Sequence, residues 1–221
     1  MTKVCVYAIA GSVRVPAFTG RGGRRLTVVR AGRLSAIVAP TRRVPSPTID
    51  NLRRYHQTIA GISDALRAVL PARFGTVMEE DELRVILRAR SRSLAAGLKQ
   101  VRGRVQVTIR TADAGRIAQS PGRGPETART TGTTYLRTRA EAAARLREVP
   151  AFAPVRIAVQ KWVKGEHVVN QAGVTSIYHL VTRASVPAYI RALSDAARDA
   201  GIVIAVSGPF PPYAFAEAGL I

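Results

Sequence analysis

The sequence predicts an α+β protein with two domains, at residues 1-102 and 103-221. Some short apolar runs are continuous and others alternate with polar residues, and both patterns are typical of strands. They are mixed with apolar residues at three- and four-residue steps, which are typical of helices. Their order is β-β-β-α-α up to Gly103 and β-α-β-β-α-β after it. The second order is that of a ferredoxin-like domain. A chain of 221 residues with 47% hydrophobic content can bury a core of this size.

The first domain is predicted element by element from residue spacing. Residues 4–9 are apolar at both alternating positions, which predicts a strand buried on both faces. Residues 26–30 and 34–39, separated by Ala31-Gly32-Arg33, predict a hairpin. An apolar stripe over residues 49–69 predicts a helix that begins near Ser46-Pro47 and ends at Pro71.

A second helix of this domain is predicted to begin at a cap at Thr76 and to carry an apolar stripe over residues 83–101. Thr76 and Glu79 have capping-box spacing, and Glu80, Asp81 and Glu82 follow in the first turn, where the helix dipole favours carboxylates. Consecutive carboxylates point around a helix and do not converge, so we interpret them as capping and not as a metal site.

The second domain is predicted to begin with a half-buried strand at residues 105–109. A Gly- and Pro-rich flexible segment at residues 113–132 and an Ala-rich helix at residues 135–149 follow. Alternation predicts strands at residues 155–159 and 174–181. Helix 186–200 ends at Gly201, and the apolar run 202–206 predicts a final buried strand.

The chain closes on a proline-aromatic tail, residues 207–216. Proline restricts the backbone and donates no hydrogen bond to a sheet, so the tail is stiff and suited to lie across a surface or cover an edge. It carries three aromatic side chains, which are the candidate interface residues of the chain: Phe210, Tyr213 and Phe215.

Three motifs resemble one protein family. The tail Ser207-Gly208-Pro209-Phe210-Pro211-Pro212-Tyr213-Ala214-Phe215 is similar to the C-terminal signature of the GvpF/GvpL family of gas vesicle proteins. Leu70-Pro71-Ala72-Arg73-Phe74-Gly75-Thr76 resembles the family's Leu-Pro-x-Arg-Phe-Gly-Thr core. Gly132-Thr133-Thr134-Tyr135-Leu136 resembles its Gly-x-x-Tyr-Leu element. The three occur in family order.

The resemblance implies a non-enzymatic accessory and minor structural protein of gas vesicles, the hollow protein organelles that give cells buoyancy. Such a protein would support shell assembly in the cytoplasm by contacting the main shell protein and other accessory proteins. The resemblance also implies an α+β N-terminal domain and a modified ferredoxin-like C-terminal domain that carries the tail. The sequence does not separate the F-like paralogue from the L-like one.

The sequence provides no recognisable catalytic or metal-binding arrangement. Its three histidines, His56, His167 and His179, are scattered, and no Gly-x-Ser-x-Gly element is present. One cysteine, Cys5, cannot form an intrachain disulfide and cannot complete a zinc site with them. Glu166-His167 is interpreted as a solvated pair near a turn. We therefore expect no catalytic residues, no metal and no cofactor.

The charge of the chain suggests acidic partners. Lysine and arginine number 34 against 14 acidic residues, a formal charge of +20, which attracts acidic proteins, nucleic acid or anionic membranes unless it only reflects an Arg-rich composition. No apolar run is long enough to span a bilayer. The alternative function is an RNA-binding module of the RRM type, but the strand at residues 174–181 has one tyrosine and no RNP motif.

Overall fold

The computed structural model describes residues 3–13, 26–112, 152–171 and 174–216. The chain forms two compact units. The first comprises Met1–Gln106, Leu180–Arg183 and Gly208–Ile221, and the second comprises Val107–His179 and Ala184–Ser207. From Gly208 onward, the tail is grouped with the N-terminal half in the first unit.

The first unit is built on an antiparallel sheet. Strands β1 (Lys3–Gly11), β2 (Thr27–Ala31), β3 (Leu34–Pro40) and β4 (Val69–Pro71) lie in the order β2-β3-β1-β4, and β5 (Val77–Glu79) also pairs with β1. The predicted hairpin is confirmed, with Ala31 opposite Leu34 across its turn.

Strand β1 is buried on both faces, as predicted. The register with β3 shifts between Val6 and Ala8, which is a β-bulge at Tyr7. Val6 and Ile9 contribute to the core on one face of the sheet, and Tyr7 and Ala8 to the core on the other. Helices therefore cover both faces of this sheet.

Helix α1 (Ile49–Ala65) packs on the Tyr7 face and is shorter than predicted. Thr48 is its N-cap and accepts a hydrogen bond from the backbone N–H of Asn51. The predicted continuation to Val69 is wrong, because residues 69–71 leave the helix and pair with Ala8, Ile9 and Ala10. Val69 matches the apolar stripe of the helix because it is also buried, but in strand β4.

Two helices, not one, cover the other face of this sheet. Helix α2 (Glu80–Ala89) and helix α3 (Ser91–Val101) meet at Arg90, whose backbone leaves the helical region. The predicted capping box is also wrong. Residues 77–79 pair with Lys3–Cys5 as a strand, and the Thr76 hydroxyl donates to the Arg73 carbonyl. The acidic first turn of α2 is as predicted, and Arg84 forms ion pairs with Glu80 and Asp81.

The second sheet has the strand order β7-β8-β6-β9. Its strands are β6 (Arg104–Ala112), β7 (Val163–Gln171), β8 (Val174–Thr182) and β9 (Ala205–Phe210). Helices α4 (Ala153–Val159) and α5 (Val186–Asp199) pack against each other in the second unit. The described chain is thus a mixed α/β protein with two sheets and five α-helices.

The prediction of a strand at residues 155–159 is wrong. Val155 and Val159 are fully buried and four residues apart, a spacing that fits alternation and a helix turn equally well. Ile157 decides between them, because its side chain is 73% exposed. The second strand of this domain is instead the polar segment Val163–Gln171, which the sequence did not predict.

The last strand begins later than predicted and is not a buried apolar run. The Gly201 N–H donates to Arg198 and the Ile202 N–H to Ala197, which closes helix α5 with Gly201 at a φ of +65°. Val203 is 88% exposed. Strand β9 continues through Pro209 to Phe210, with a cis peptide between Gly208 and Pro209.

Three sequence predictions lie outside the described residues. They are the flexible segment 113–132, the helix at residues 135–149, and the family motif that begins at Gly132.

Candidate functional site

The proline-aromatic tail lies within the first unit and is partly buried. Pro211 and Pro212 are buried, whereas the three candidate interface residues, Phe210, Tyr213 and Phe215, are each half-buried. Residues 213–215 form one turn of 3₁₀-helix, and the Phe215 N–H donates to the Pro212 carbonyl. The tail is therefore an ordered segment of the first unit.

Helix α1 holds the middle of the tail through His56. A hydrogen bond of 2.8 Å joins His56 Nδ1 to the hydroxyl of Tyr213. The His56 ring also meets the Phe210 ring edge-on, with 5.9 Å between the ring centroids. Burial raises the pKa of Tyr213 far above the neutral range, so its hydroxyl keeps its proton. Phe210 and Tyr213 thus share one anchor.

The end of the tail is anchored elsewhere in the unit. Phe215 and Ala216 pack against the core cluster that contains Leu83 and Leu87 of helix α2. The backbone N–H of Ala214 donates to the side-chain oxygen of Gln106, at 2.8 Å. The tail aromatics therefore divide, since Tyr213 packs against the α1 core cluster and Phe215 against the α2–α3 core cluster.

Sequence reasoning located the three aromatic residues but missed their partners. His56 lies beside the apolar stripe of α1, and Gln106 occupies a polar position of a predicted half-buried strand. Neither position carries a signal that points to a tail more than a hundred residues away. The three side chains are held in different ways, since Tyr213 forms a hydrogen bond with His56, Phe210 meets the His56 ring edge-on, and Phe215 packs against a core cluster.

A polar network in the second unit was not predicted from the sequence. Glu166 was expected to be a solvated partner of His167, but its Oε2 atom lies 2.8 Å from His179 Nε2 and 3.1 Å from Arg156 Nε. His179 Nδ1 lies 2.7 Å from the hydroxyl of Tyr189. His179 and Tyr189 are fully buried, so the network crosses from the surface to the core.

The hydrogen bonds of this network connect a carboxylate, a histidine and a hydroxyl in the order of a catalytic triad, but the hydroxyl is not accessible to solvent. A neutral imidazole satisfies every partner, with Nε2–H donating to the Glu166 carboxylate and the Tyr189 hydroxyl donating to Nδ1. Burial raises the pKa of Tyr189 well above neutrality, and its oxygen is closed to any substrate. The Tyr189 hydroxyl is therefore not placed to act as a nucleophile, and we interpret the network as structural.

Glu166 provides a test of the network by pH. The hydrogen bond from His179 and the Arg156 charge hold the pKa of Glu166 below its ordinary value of 4.5. Its folded-state pKa is lowered, so its contribution to stability is complete above pH 4.5 and is lost as the pH falls through the folded value.

Glu166→Gln should therefore flatten the acid limb of the stability curve. We expect the free energy of unfolding of the variant to fall less steeply below pH 4.5 than that of the unchanged protein, in urea titrations at several pH values. Asp199→Asn, an exposed carboxylate on α5, serves as the control. Parallel acid limbs for all three proteins would show that Glu166 has no such role.

Groups of metal ligands and membrane-spanning helices are both absent from the part of the chain that the structure describes. In the described ranges, no three side chains of His, Cys, Asp or Glu are grouped as metal ligands. Across the same residues, none of the helices combines the length and the apolar character needed to cross a membrane.

Comparison with known proteins identifies one family. A family model described as gas vesicle synthesis protein GvpL/GvpF matches residues 4–217. The fold is similar to crystal structures of the gas vesicle protein GvpF from Anabaena sp. PCC7120 and from Microcystis aeruginosa, each with a TM-score of 0.71 at 12% sequence identity. The first alignment covers 98% of this chain and 96% of that chain, and the second covers 100% of both. No curated protein matches the chain.

Proposed function

We propose that this chain, which belongs to the gas vesicle synthesis protein GvpL/GvpF family, is an accessory and minor structural protein that supports assembly of the vesicle shell. The observation that carries the proposal is the family match over almost the whole chain. We further propose that the protein acts by protein-protein contacts and without catalysis, in the cytoplasm and on the vesicle, with the main shell protein and other accessory proteins as partners.

The proposed contact with the shell is centred on Phe210. The tail is ordered by its anchors at His56, Gln106 and the α2–α3 core cluster, so little conformational entropy remains to be lost on binding. Tyr213 is held by its hydrogen bond to His56, and Phe215 packs against the α2–α3 core cluster. Phe210 is half-buried and lies at the end of strand β9, where its remaining exposed surface can enter a pocket on a partner.

The topology of the second sheet supports a ferredoxin-like C-terminal domain. The strands β6, β7, β8 and β9 follow one another in the chain, and their spatial order β7-β8-β6-β9 places the first strand beside the last. Helix α5 lies between the third and fourth strands, as the split βαβ arrangement requires. We infer this domain type from that order.

The RNA-binding alternative gains no support from these findings. The family match and the similar structures all concern gas vesicle proteins. On strand β8, where an RRM would place stacking aromatics, the sequence has one tyrosine, Tyr178, and no RNP motif.

Phe210→Ala tests the proposed contact in a cell that makes gas vesicles. We expect the variant to stay folded by circular dichroism, to lose about tenfold or more in affinity for the purified shell protein, and to yield few vesicles. Val203→Ala is the control, because it truncates an apolar side chain that is 88% exposed and lies outside the tail.

Two other outcomes would contradict parts of the proposal. Unchanged binding and vesicle yield with Phe210→Ala would remove Phe210 from the interface and leave the function standing. Normal vesicles in a strain that lacks the whole chain would contradict the proposed function itself.

A further inference from the structure

A groove in the first unit is separate from the tail and has not been assigned a role. It has a volume of about 640 Å³ and lies between helix α3, the end of helix α2 and the turn of the β2–β3 hairpin. This volume is within the range of sites that hold a ligand or a few side chains of a partner. All of the lining residues belong to the first unit.

The floor of the groove is apolar. It is formed by small and branched aliphatic side chains from the hairpin, from the segment before β4 and from helix α3, namely Ala31, Leu34, Ala68, Ala95 and Leu98. Ala31, Leu34 and Leu98 are almost fully buried, which leaves their edges together with Ala68 and Ala95 as the contact surface. Such a floor favours a partner that inserts aliphatic side chains.

The rim of the groove is uniformly basic. Five cationic side chains line it, and no carboxylate does: Arg33, Arg88, Arg92, Lys99 and Arg102. Within the part of the chain that the structure describes, none of the five forms an ion pair. Arg92, Ala95 and Lys99 are spaced at three and four residues, which places them along one face of α3, and Arg102 follows as the C-cap of that helix.

This charge arrangement is unfavourable for the isolated unit. Like charges around one groove repel each other, and Arg92 lies in the first turn of α3, where the helix dipole disfavours a cation. One turn before Arg88 on helix α2, the charge of Arg84 is neutralised by ion pairs with Glu80 and Asp81. Local stability therefore explains Arg84, and the last turns of α2 and α3 favour Arg88 and Lys99. It does not explain Arg33, Arg92 and Arg102, and a negatively charged partner would offset the repulsion among the five cations.

We propose that this groove binds an acidic amphipathic segment of a partner protein, with aliphatic side chains on the floor and carboxylates on the rim. Arginine is suited to this role because its planar fork can receive a carboxylate through two hydrogen bonds. A single-stranded nucleic acid fits less well. None of the thirteen lining residues is aromatic, so the groove has no platform on which bases could stack.

The groove would provide one of the protein-protein contacts of the proposed function. Its assignment rests on that function only because it takes the partner to be a protein. It is independent of Phe210 and of the tail. A binding measurement with a synthetic probe therefore separates the two, because it involves neither vesicles nor the shell protein.

The probe is a fluorescent peptide of about 16 residues, with leucine at every third and fourth position and glutamate at the others, a pattern that places the leucines on one helix face. One control peptide carries lysine in place of glutamate, and another carries serine in place of leucine. Binding to the full chain is measured by fluorescence anisotropy at low salt and at about 0.15 M salt, where exposed charges are screened beyond roughly 8 Å.

Two matched variants locate the binding site. Ala95 and Ala96 are neighbouring exposed alanines of helix α3, but only Ala95 lines the groove. Ala95→Glu places a carboxylate on the apolar floor, whereas Ala96→Glu makes the same change in net charge and helix propensity outside it. We expect Ala95→Glu to weaken the peptide about tenfold or more and Ala96→Glu to change its affinity less than about threefold.

Three results would overturn the proposal. Equal weakening by both variants would show that the peptide senses only the net charge of the chain. Equal affinity for the serine-containing peptide would show that the floor is not used. Tighter binding of a single-stranded oligonucleotide, lost with Ala95→Glu and kept with Ala96→Glu, would assign the groove to nucleic acid.

Discussion

His179→Ala is expected to lower the free energy of unfolding by about 3 to 5 kcal/mol, because it opens a cavity in the core and removes the partner of a buried hydroxyl. His179 is fully buried and bridges the carboxylate of Glu166 and the hydroxyl of Tyr189. Alanine leaves a cavity beside the Phe152 ring, which lies 6.3 Å from the imidazole between centroids. It also leaves the Tyr189 hydroxyl without its partner in the core.

The measurement is urea unfolding of the full chain, followed by far-UV circular dichroism. His167→Ala is the control, since His167 is on strand β7 and half-buried, and we expect it to cost less than about 1 kcal/mol. His179→Gln, whose amide can both donate and accept, should recover part of the loss. Equal midpoints for His179→Ala and His167→Ala would mean that the network contributes nothing to folding.

Gly208→Ala is expected to cost at least about 3 kcal/mol and to loosen the tail. Gly208 has a φ of +122°, which residues with a Cβ rarely adopt. A Cβ there would lie 2.9 Å from the carbonyl oxygen of Gln106 and 3.3 Å from the backbone nitrogen of Phe210. Both are backbone atoms of strands β6 and β9, so neither can move aside without disturbing the sheet.

The matched control is Gly61→Ala in the interior of helix α1, where nothing lies within 4 Å of the added Cβ. Alanine is the better helix former there, so this change should leave stability unchanged or raise it by about 0.5 to 1 kcal/mol. Thermal unfolding compares the variants, and limited proteolysis reports the tail. If both substitutions gave the same melting temperature and tail protection, Gly208 would not be required by the β6–β9 pairing.

The effect on function should follow the effect on the tail. Phe210 is two residues beyond Gly208, and its ring meets His56. Because the contact surface proposed here depends on an ordered tail, Gly208→Ala should reduce shell binding even at temperatures where the rest of the first unit remains folded.

Much of the local structure was predictable because the residue pattern allowed only one physically possible secondary structure. The β2–β3 hairpin follows from two apolar runs around Ala31-Gly32-Arg33, and helix α5 from its stripe and the glycine that ends it. The three family motifs were sufficient to identify the family, which the family match confirms. These signals are short-range and do not depend on which element packs beside them.

Where the pattern allowed two structures, tertiary contacts decided. Val155 and Val159 fit a strand or a helix. In the structure, helix α4 packs against α5, both valines are buried and Ile157 on the opposite side is exposed. Val69 continues a helical stripe, but residues 69–71 instead pair with β1 as a buried strand. The polar strand β7 carries no apolar alternation at all, so its pairing with β8 was invisible in the sequence.

The candidate sites show the same division. By itself the sequence determined the family, the basic charge and the aromatic residues of the tail, because these are properties of composition and short motifs. Only the tertiary structure decided that His56 and Gln106 hold the tail, that His179 joins Glu166 to Tyr189, and that five cations surround one apolar floor. The reason is physical, since each of these arrangements joins residues that lie on different elements, and only the packing of those elements brings them together.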